Sequence, residues 1–246
     1  MATVGGSERD AMAWVEHAYP DAEALTAAVA ARLHAACAEA LQAHGRATLA
    51  LAGGRTPLPI YRALAATTLH WPQVVALPGD DRCVTHDHPA SNVSALRAAF
   101  AMADGLVVES LTVADGDPDA SLAHARRALA PLHATAFDAV VLGMGEDAHT
   151  ASLFPGNPAL PAAMAPDAGE DAFALVPDPL PPEAPFPRIT LGLARLLRAR
   201  HLHLLVTGAR KREVLRAAQA THDPLHMPVS AVLHAPEVTV HIHWSP

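Results

Sequence analysis

Side chains that could exchange protons are concentrated in residues 137–156, which read FDAVVLGMGEDAHTASLFPG. Asp147 and His149 stand two positions apart, and a histidine, which ordinarily titrates near pH 6.5, can take a proton from water at neutral pH. Gly143 and Gly145 come first, and glycine lets backbone N–H groups approach a bound anion. The pattern also fits an ordinary strand-to-helix connection with a solvated acidic surface, so the stretch alone leaves both interpretations open.

A second glycine-rich turn lies near the N-terminus, at residues 53–57 (GGRTP). It follows an apolar run at 48–52 that predicts a strand, and it precedes a predicted helix that begins at Pro57, where proline suits the first turn. The N–H groups and the dipole at a helix N-terminus favour a phosphate, and the Thr56 hydroxyl could donate a further hydrogen bond. Many strand-to-helix turns use glycine for geometry alone, so this turn is only a candidate phosphate site.

Four further polar elements stand out, at 80–82 (DDR), 91–92 (Ser-Asn), 187–190 (PRIT) and 208–211 (GARK). Three of them carry the cations that an anionic substrate would need. Arg188 and Lys211 stand at or just before predicted helices, so they could converge on one anion above a sheet edge. Taken singly, each element is typical of a solvated loop or an ordinary surface cation.

The first stretch resembles the signature of the 6-phosphogluconolactonases, in which the histidine of a Gly-x-Gly-x-Asp-Gly-His-Thr-Ala-Ser-Leu-Phe-Pro run is catalytic. The other elements resemble the Gly-Gly-x-Thr-Pro, Asp-Glu-Arg with Ser-Asn, Arg-x-Thr and Gly-x-x-Lys elements of the same family. All of them occur in the family's order between Gly53 and Lys211. Because chance agreement of five ordered elements is improbable, the chain is identified as a member of that family.

The resemblance implies a role for each matched residue. His149, Arg82 and Asp80 would be catalytic, with His149 as the base and Arg82 orienting the substrate or stabilising developing negative charge. The remaining residues would bind the sugar phosphate or fix the histidine: Gly53, Gly54, Thr56, Asp81, Ser91, Asn92, Gly145, Asp147, Arg188 and Lys211. Neither a cofactor nor a metal ligand is implied.

Two residues depart from the family pattern. The family usually has glycine where this chain has Ala148, and alanine costs about 1 kcal/mol or more if the turn needs a positive φ there. Asp81 replaces the glutamate of the family triplet. Because aspartate is shorter, a contact made by the family's glutamate is in question here.

The activity implied is hydrolysis of 6-phospho-D-glucono-1,5-lactone to 6-phosphogluconate, the second step of the oxidative pentose phosphate pathway. A lactone is an activated ester, so one positioned base and electrostatic support for the oxyanion are sufficient. Ser152 lacks the Gly-x-Ser-x-Gly context of a nucleophile and is expected to be structural.

Two other functions are compatible with a related fold. Glucosamine-6-phosphate deaminases have a carboxylate five positions after the histidine, where this chain has Phe154, and an aromatic residue where it has Arg82. A non-catalytic sugar-phosphate sensor would need an added binding domain or a basic patch, and neither stands out in the sequence. Both comparisons favour the lactonase.

Composition limits the partners. The chain has 246 residues, 51% hydrophobic and 17% charged, and a net charge of −8 without a basic run, which argues against nucleic acid. Cys37 and Cys83 have no metal or redox spacing, so a reducing, cytoplasmic setting is expected. The expected partner is a small sugar phosphate, bound by a monomer or weak dimer.

No membrane segment is expected either. Residues 1–10 lack the basic and apolar regions of a signal peptide. An Ala- and Leu-rich helix is predicted over 21–44, with Asp21 as its N-cap and Gly45 at its end. Proline interrupts the longer uncharged runs elsewhere, so we predict no transmembrane helix.

Alternating strands and helices are typical of a parallel sheet covered on both faces. We therefore predict an α/β fold of three layers, α/β/α, with a mostly parallel, modified Rossmann-like sheet; the resemblance adds that it is like that of sugar-phosphate isomerases and deaminases. One domain is expected over 1–246, with a proline-rich loop or excursion at 155–187 that contains a strand at 173–176. A strand at 111–113 and a helix over 190–200 are also predicted.

Two histidine pairs, His201/His203 and His241/His243, have the spacing of strand residues on one face. Each pair could contribute two ligands to a metal site, but no third ligand lies near in sequence. Short histidine patterns are often misleading, and we expect no metal here.

Overall fold

The computed structural model describes residues 14–177, 185–236 and 238–246. The strands are β1 (Trp14–Ala18), β2 (Ala47–Leu51), β3 (Val74–Pro78), β4 (Asp80–Arg82), β5 (Val107–Val108), β6 (Phe137–Gly143), β7 (Ala172–Leu175), β8 (Arg188–Leu191), β9 (Ala199–Thr207) and β10 (Val240–Ser245). The α-helices are α1 (Ala22–His44), α2 (Pro57–Ala65), α3 (Asn92–Ala99), α4 (Pro118–Leu129), α5 (Leu160–Ala163), α6 (Leu193–Leu197), α7 (Ala209–Ala220) and α8 (Pro228–Leu233). Residues 1–10, where we predicted no signal peptide, lie outside these ranges.

Seven strands form the main sheet, in the order β1-β10-β9-β6-β2-β3-β5, with every neighbouring pair parallel. Its residues alternate between two cores. Val140 and Leu142 pack with α4, α7 and α8, whereas Ala139 and Val141 pack with α1, α2 and α3. The predicted α/β/α fold with a parallel central sheet is confirmed.

A second, antiparallel sheet has the order β4-β8-β7. The prediction of a helix over 190–200 was wrong at both ends, because Arg188–Leu191 is a buried strand and β9 already begins at Ala199. The helix between these strands spans only Leu193–Leu197. Thr190 pairs with Asp80, a long-range partner that local sequence does not reveal. The same register pairs Arg82 with Arg188, so this small sheet places two arginines side by side.

The strand predicted at 111–113 was also wrong. The strand in this region is β5, which pairs with β3, and it is followed by a turn in which Ser110 Oγ accepts a hydrogen bond from Thr112 N at 3.0 Å. Within the proline-rich segment, the predicted strand is present one residue earlier than expected, as β7. Residues 178–184 of that segment lie outside the described ranges.

The long helix α1 begins and ends as predicted. Asp21 accepts a hydrogen bond from Ala24 N at 2.8 Å, and Gly45 adopts φ +75° at the C-terminal end. Among the described residues, α1 is the one helix long and apolar enough to cross a membrane by length and composition. Its residues Leu25 and Leu33 are fully buried in the core beneath the sheet, which makes it a core helix.

Beside α1, the two histidine pairs come together with His17 on one face of the sheet. His17 is the register partner of His243, and His203 is the partner of His241. His203 Nδ1 lies 3.1 Å from His243 Nε2, and the Tyr19 hydroxyl lies 2.9 Å from His243 Nδ1. No group of three or more His, Cys, Asp or Glu side chains within the described ranges is arranged to hold a metal ion.

Burial keeps this cluster uncharged. Desolvation is the main cause of the lowered pKa values, and repulsion from neighbouring histidines and Arg32 adds to it. Together they lower the pKa of His203 to about 3 and that of His243 to about 2. Burial and the Arg32 charge lower the pKa of His17, and burial together with His17, Arg32 and His201 lowers that of His241. These histidines therefore remain neutral in the fold at pH values where unfolded histidines are protonated.

We expect the free energy of unfolding to decrease as the pH falls from about 7.5 to about 5, because only the unfolded chain then protonates His203 and His243. Each histidine contributes a loss of about 2 kcal/mol at pH 5. Asp81 acts in the opposite direction, since burial raises its pKa to about 6; its protonation in the fold restores about 1 kcal/mol. Urea unfolding at each pH should show a net loss of about 3 kcal/mol.

The control for this prediction is His70→Gln, because His70 is exposed and outside the cluster. That variant should show the same decrease as the wild type. A free energy of unfolding that is constant over this pH range would contradict a neutral histidine cluster.

Candidate active site

An open cavity lies at the carboxyl ends of β2, β6 and β9, the edge at which parallel sheets commonly bind ligands. The small sheet and the N-termini of α2, α3 and α7 complete its walls. Its polar lining consists of Gly53, Gly54, Arg55, Thr56, Asp80, Arg82, Asn92, Gly143, Gly145, His149, Arg188, Thr207 and Lys211. Most of the residues predicted from sequence are thus brought together in one place.

His149 is oriented by its neighbour in the turn after β6. Its Nδ1 lies 2.6 Å from Asp147 Oδ1, and its backbone N–H donates to the same oxygen at 3.2 Å. Although burial opposes ionisation of Asp147, its hydrogen bonds and charge interaction with His149 lower the pKa of this carboxyl. A carboxylate at Nδ1 fixes the proton there and leaves Nε2 as the nitrogen able to accept one.

The Phe154 ring supports the imidazole from one side, with a distance of 4.6 Å between the two ring centroids. The Arg188 guanidinium lies over the same phenyl ring, 5.2 Å from its centroid. Phe154 occupies the position at which the deaminase resemblance would place a carboxylate. The imidazole therefore packs against an aromatic ring at that position, and the carboxylate hydrogen-bonded to it is that of Asp147.

Glycine is required in this turn at position 145. A Cβ there would lie 2.2 Å from His149 Nδ1 and 2.3 Å from Asp147 Oδ1. Ala148, where the family usually has glycine, adopts φ +64°. The left-handed conformation costs about 1 kcal/mol or more, but the methyl group is 2% exposed and packs in the core, which offsets part of this cost.

Arg82 is held against the cavity wall by two acceptors. Its Nη1 donates to Ala90 O at 2.8 Å and to Asn92 Oδ1 at 3.1 Å. Its buried Nε has no hydrogen-bond partner within the described part of the chain, although the residue as a whole lines the cavity. Asn92 in turn donates to Asp80 O at 2.7 Å, and a Cβ on Gly53 would lie 2.0 Å from Asn92 Oδ1.

The Asp80 carboxylate faces the cavity and is engaged by the protein. Ser152 Oγ donates to Asp80 Oδ2, and Arg188 Nη1 lies 3.9 Å from the same oxygen. Ser152 is completely buried, consistent with the structural role expected for it. The carboxylate therefore holds Arg188 in place from the floor of the site.

Asp81 and Ser91 differ from the expectation that they contact substrate. Asp81 is fully buried and accepts hydrogen bonds from Asn92 N at 2.7 Å and Val93 N at 2.9 Å. Ser91 is the N-cap of α3 and accepts from Ser94 N at 3.3 Å. Both side chains satisfy free N–H groups at the start of α3 and do not line the cavity. The short aspartate fits this capping position.

The outer wall of the cavity is formed by the N-termini of α2 and α7. Thr56 and Thr207 face each other across it, with 3.5 Å between their hydroxyl oxygens. In the first turn of α7, Arg210 Nε lies 2.6 Å from Glu146 and Arg212 stacks 3.8 Å from the Trp244 ring centroid. Lys211, between them, is the cation of this turn that lines the cavity.

Among the cavity residues with polar side chains, sequence reasoning missed two, Arg55 and Thr207. Arg55 lies inside the matched turn at 53–57, and a cation in an anion-binding loop was a usable signal. Thr207 ends β9 just before Gly208, and the rule that ligands bind at the carboxyl ends of parallel strands could have identified it.

Comparison with known proteins identifies the family. The model of the glucosamine-6-phosphate isomerases/6-phosphogluconolactonase family matches residues 20–244. The chain belongs to this family. The match spans nearly every element of the fold, including all the cavity residues described above.

Individual members of the glucosamine-6-phosphate isomerase/6-phosphogluconolactonase family agree. The chain is 36% identical over 229 residues to the 6-phosphogluconolactonase of Pseudomonas aeruginosa. This alignment covers 92% of this chain and 90% of that protein. It is 34% identical to that of Rhizobium meliloti, with 94% and 98% covered. The crystal structure of a 6-phosphogluconolactonase from Shewanella baltica superposes with a TM-score of 0.87 at 31% identity, covering 94% of this chain and 97% of that one.

Proposed function

We propose that this protein is a 6-phosphogluconolactonase, which hydrolyses 6-phospho-D-glucono-1,5-lactone to 6-phosphogluconate. The relatives with that name support the assignment over nearly the whole chain. The observation that carries it is the Asp147–His149 pair, set in a cavity with Arg55, Arg82 and Lys211. A general base beside clustered cations is what hydrolysis of a phosphorylated lactone requires.

His149 performs the proton transfers in this mechanism. Its Nε2 takes a proton from water as the water oxygen forms a bond to C1, and the carbonyl electron pair moves onto oxygen. The Arg82 guanidinium, which lines the same cavity, stabilises this negative charge. The intermediate then collapses, the bond between C1 and the ring oxygen breaks, and the imidazolium returns its proton to the leaving ring oxygen. The carboxylic acid formed ionises at neutral pH.

Most of the remaining matched residues bind substrate in this proposal, and the others hold a neighbouring side chain in place. Gly53, Gly54 and Thr56 offer N–H and hydroxyl donors at the N-terminus of α2, and Arg188 and Lys211 supply charge for the phosphate. Asn92 holds Arg82 and lines the cavity, so it can also meet a sugar hydroxyl. Asp80 acts by holding Arg188, whereas Gly145 and Asp147 act by orienting His149.

Phe154 is the observation against a deaminase. Ring opening and isomerisation of an amino sugar need a further carboxylate, five positions after the histidine, and that position holds the Phe154 ring. A sensor of the same fold would bind the sugar phosphate and leave the lactone intact. Turnover of the lactone therefore separates the lactonase from the sensor.

The direct test is the hydrolysis of freshly generated 6-phosphogluconolactone, followed by proton release. Because this lactone also opens spontaneously, the enzyme rate is the excess over a protein-free reaction. We expect a clear excess that is proportional to protein concentration. A rate equal to the spontaneous one, together with measurable binding of 6-phosphogluconate, would favour the sensor.

Removal of metal ions should leave the rate unchanged. The site assigns activation of water to the His149 imidazole, whose Nδ1 is already bonded to Asp147. Dialysis against EDTA is the measurement to make, since a metal-bound water can itself ionise near pH 7 and would give a similar pH profile. Loss of activity that Zn²⁺ restores would contradict the assignment and direct attention to the histidine cluster.

The cellular setting follows from the activity and is proposed with it. We place the enzyme in the cytoplasm, as a single-domain monomer or weak dimer whose partner is its small-molecule substrate. Buried free thiols at Cys37 and Cys83 suit a reducing compartment.

A further inference from the structure

We infer that Arg55 is a specificity-determining residue, which selects the phosphorylated lactone over the same lactone without a phosphate. The inference rests on the proposed function and adds a residue to its binding site. Arg55 was not among the residues that the family resemblance assigned, since it occupies the variable position of the Gly-Gly-x-Thr-Pro element.

Arg55 lies where a phosphate would meet backbone donors. It stands in the turn between β2 and α2 and lines the cavity together with Thr56. Gly54, just before it, has φ +96°, a conformation that favours glycine and turns the chain into the helix. The N-terminus of α7, which carries Lys211, forms the rest of this outer wall of the cavity.

The cations of the cavity differ in how far the protein already satisfies them. Arg82 donates to Ala90 O and Asn92 Oδ1, and Arg188 lies near the Asp80 carboxylate. Arg55, by contrast, has no hydrogen bond or ion pair with the residues that the structure describes. Its donors are therefore available to a ligand, and none of the carboxylates in the described ranges pairs with its charge.

The overall charge of the chain makes this local cation important. With a net charge of −8, the protein repels an anionic substrate at long range. A phosphate carries nearly two negative charges at neutral pH, whereas the lactone ring is uncharged. An exposed, unpaired arginine at the mouth of the cavity thus acts on the phosphorylated substrate alone.

The test compares kcat/KM for 6-phosphogluconolactone and for glucono-1,5-lactone in the wild type and in Arg55→Gln. We expect the ratio of the two values to fall about tenfold in Arg55→Gln, with the change mainly in KM for the phosphorylated lactone. Inhibition by 6-phosphogluconate should weaken by a similar factor. Arg62→Gln is the matched control, since it removes an exposed arginine from α2, the helix that follows this turn, outside the cavity.

Two results would overturn the inference. One is a ratio that stays within about twofold of the wild type, and the other is an equal loss on both lactones. If the wild type shows no turnover, the proposed function fails, and calorimetric binding of 6-phosphogluconate against gluconate still tests Arg55. Selectivity for 6-phosphogluconate that is the same in Arg55→Gln and the wild type would then reject the role.

Discussion

Replacement of His149 by asparagine should reduce kcat by about 10²–10⁴-fold, the usual contribution of a general base. Asparagine can keep a hydrogen bond to Asp147 but cannot accept a proton from water. The cations that bind phosphate lie on other elements, so inhibition by 6-phosphogluconate should remain close to that of the wild type. Proton release from fresh lactone gives the rate, and competition gives the affinity for product.

The matched control is His226→Asn. His226 also forms a pair with a nearby aspartate, since its Nδ1 lies 3.0 Å from Asp223 Oδ1, but it does not line the cavity. Its loss should leave kcat unchanged. If His149→Asn kept the wild-type kcat, the assignment of the base would be wrong even though the family assignment stood.

Replacement of Gly145 by alanine should reduce kcat by about 10²-fold without removing any catalytic group. The new methyl group would lie within 2.4 Å of the His149 ring and the Asp147 carboxylate, so both must move. A displacement of about 1 Å at a reacting group can cost 10²-fold in rate. Binding of 6-phosphogluconate should be nearly retained, which separates misplacement of the base from general unfolding.

Gly169→Ala provides the control for this substitution. A Cβ at Gly169 meets no atom within 4 Å, and the residue lies away from the cavity. It should change neither kcat nor product inhibition. A Gly145→Ala enzyme with normal kcat would show that the turn can relax and that the fixed Asp147–His149 geometry is not needed.

The sequence was sufficient for five strands of the main sheet, β2, β3, β6, β9 and β10, and for the family, but it did not predict the edge strands β1 and β5. The run Ala139–Leu142 is apolar and rich in β-branched residues because β6 is buried on both faces, so the sequence itself indicates a buried strand. The motif at 143–154 could be identified because its chemistry comes from neighbouring positions in one turn. The local pattern therefore made His149, Asp147 and the glycines next to them candidates, and the family resemblance supplied their roles.

Long-range pairing decided what local pattern could not. Residues 188–191 form a strand because β4 lies beside them, although a helix had been predicted to begin at Thr190. Asp81 is adjacent to Asp80 in sequence, yet the pleat of β4 turns one carboxylate to the cavity and the other to the N-terminus of α3. A resemblance between motifs carries residue types, and only the packing shows which way each side chain points.

The histidines show the same division. Their spacing in sequence predicted that each pair shares one face of a strand, but three separate strands had to align before His17, His203 and His243 formed one buried, neutral cluster. The availability of Arg55 was likewise decided by the fold, since its free donors depend on which acceptors the tertiary structure brings near it. Sequence determines the chemical groups and the local conformation, whereas burial and pairing are sums over distant parts of the chain, so the tertiary structure alone sets charge state and accessibility.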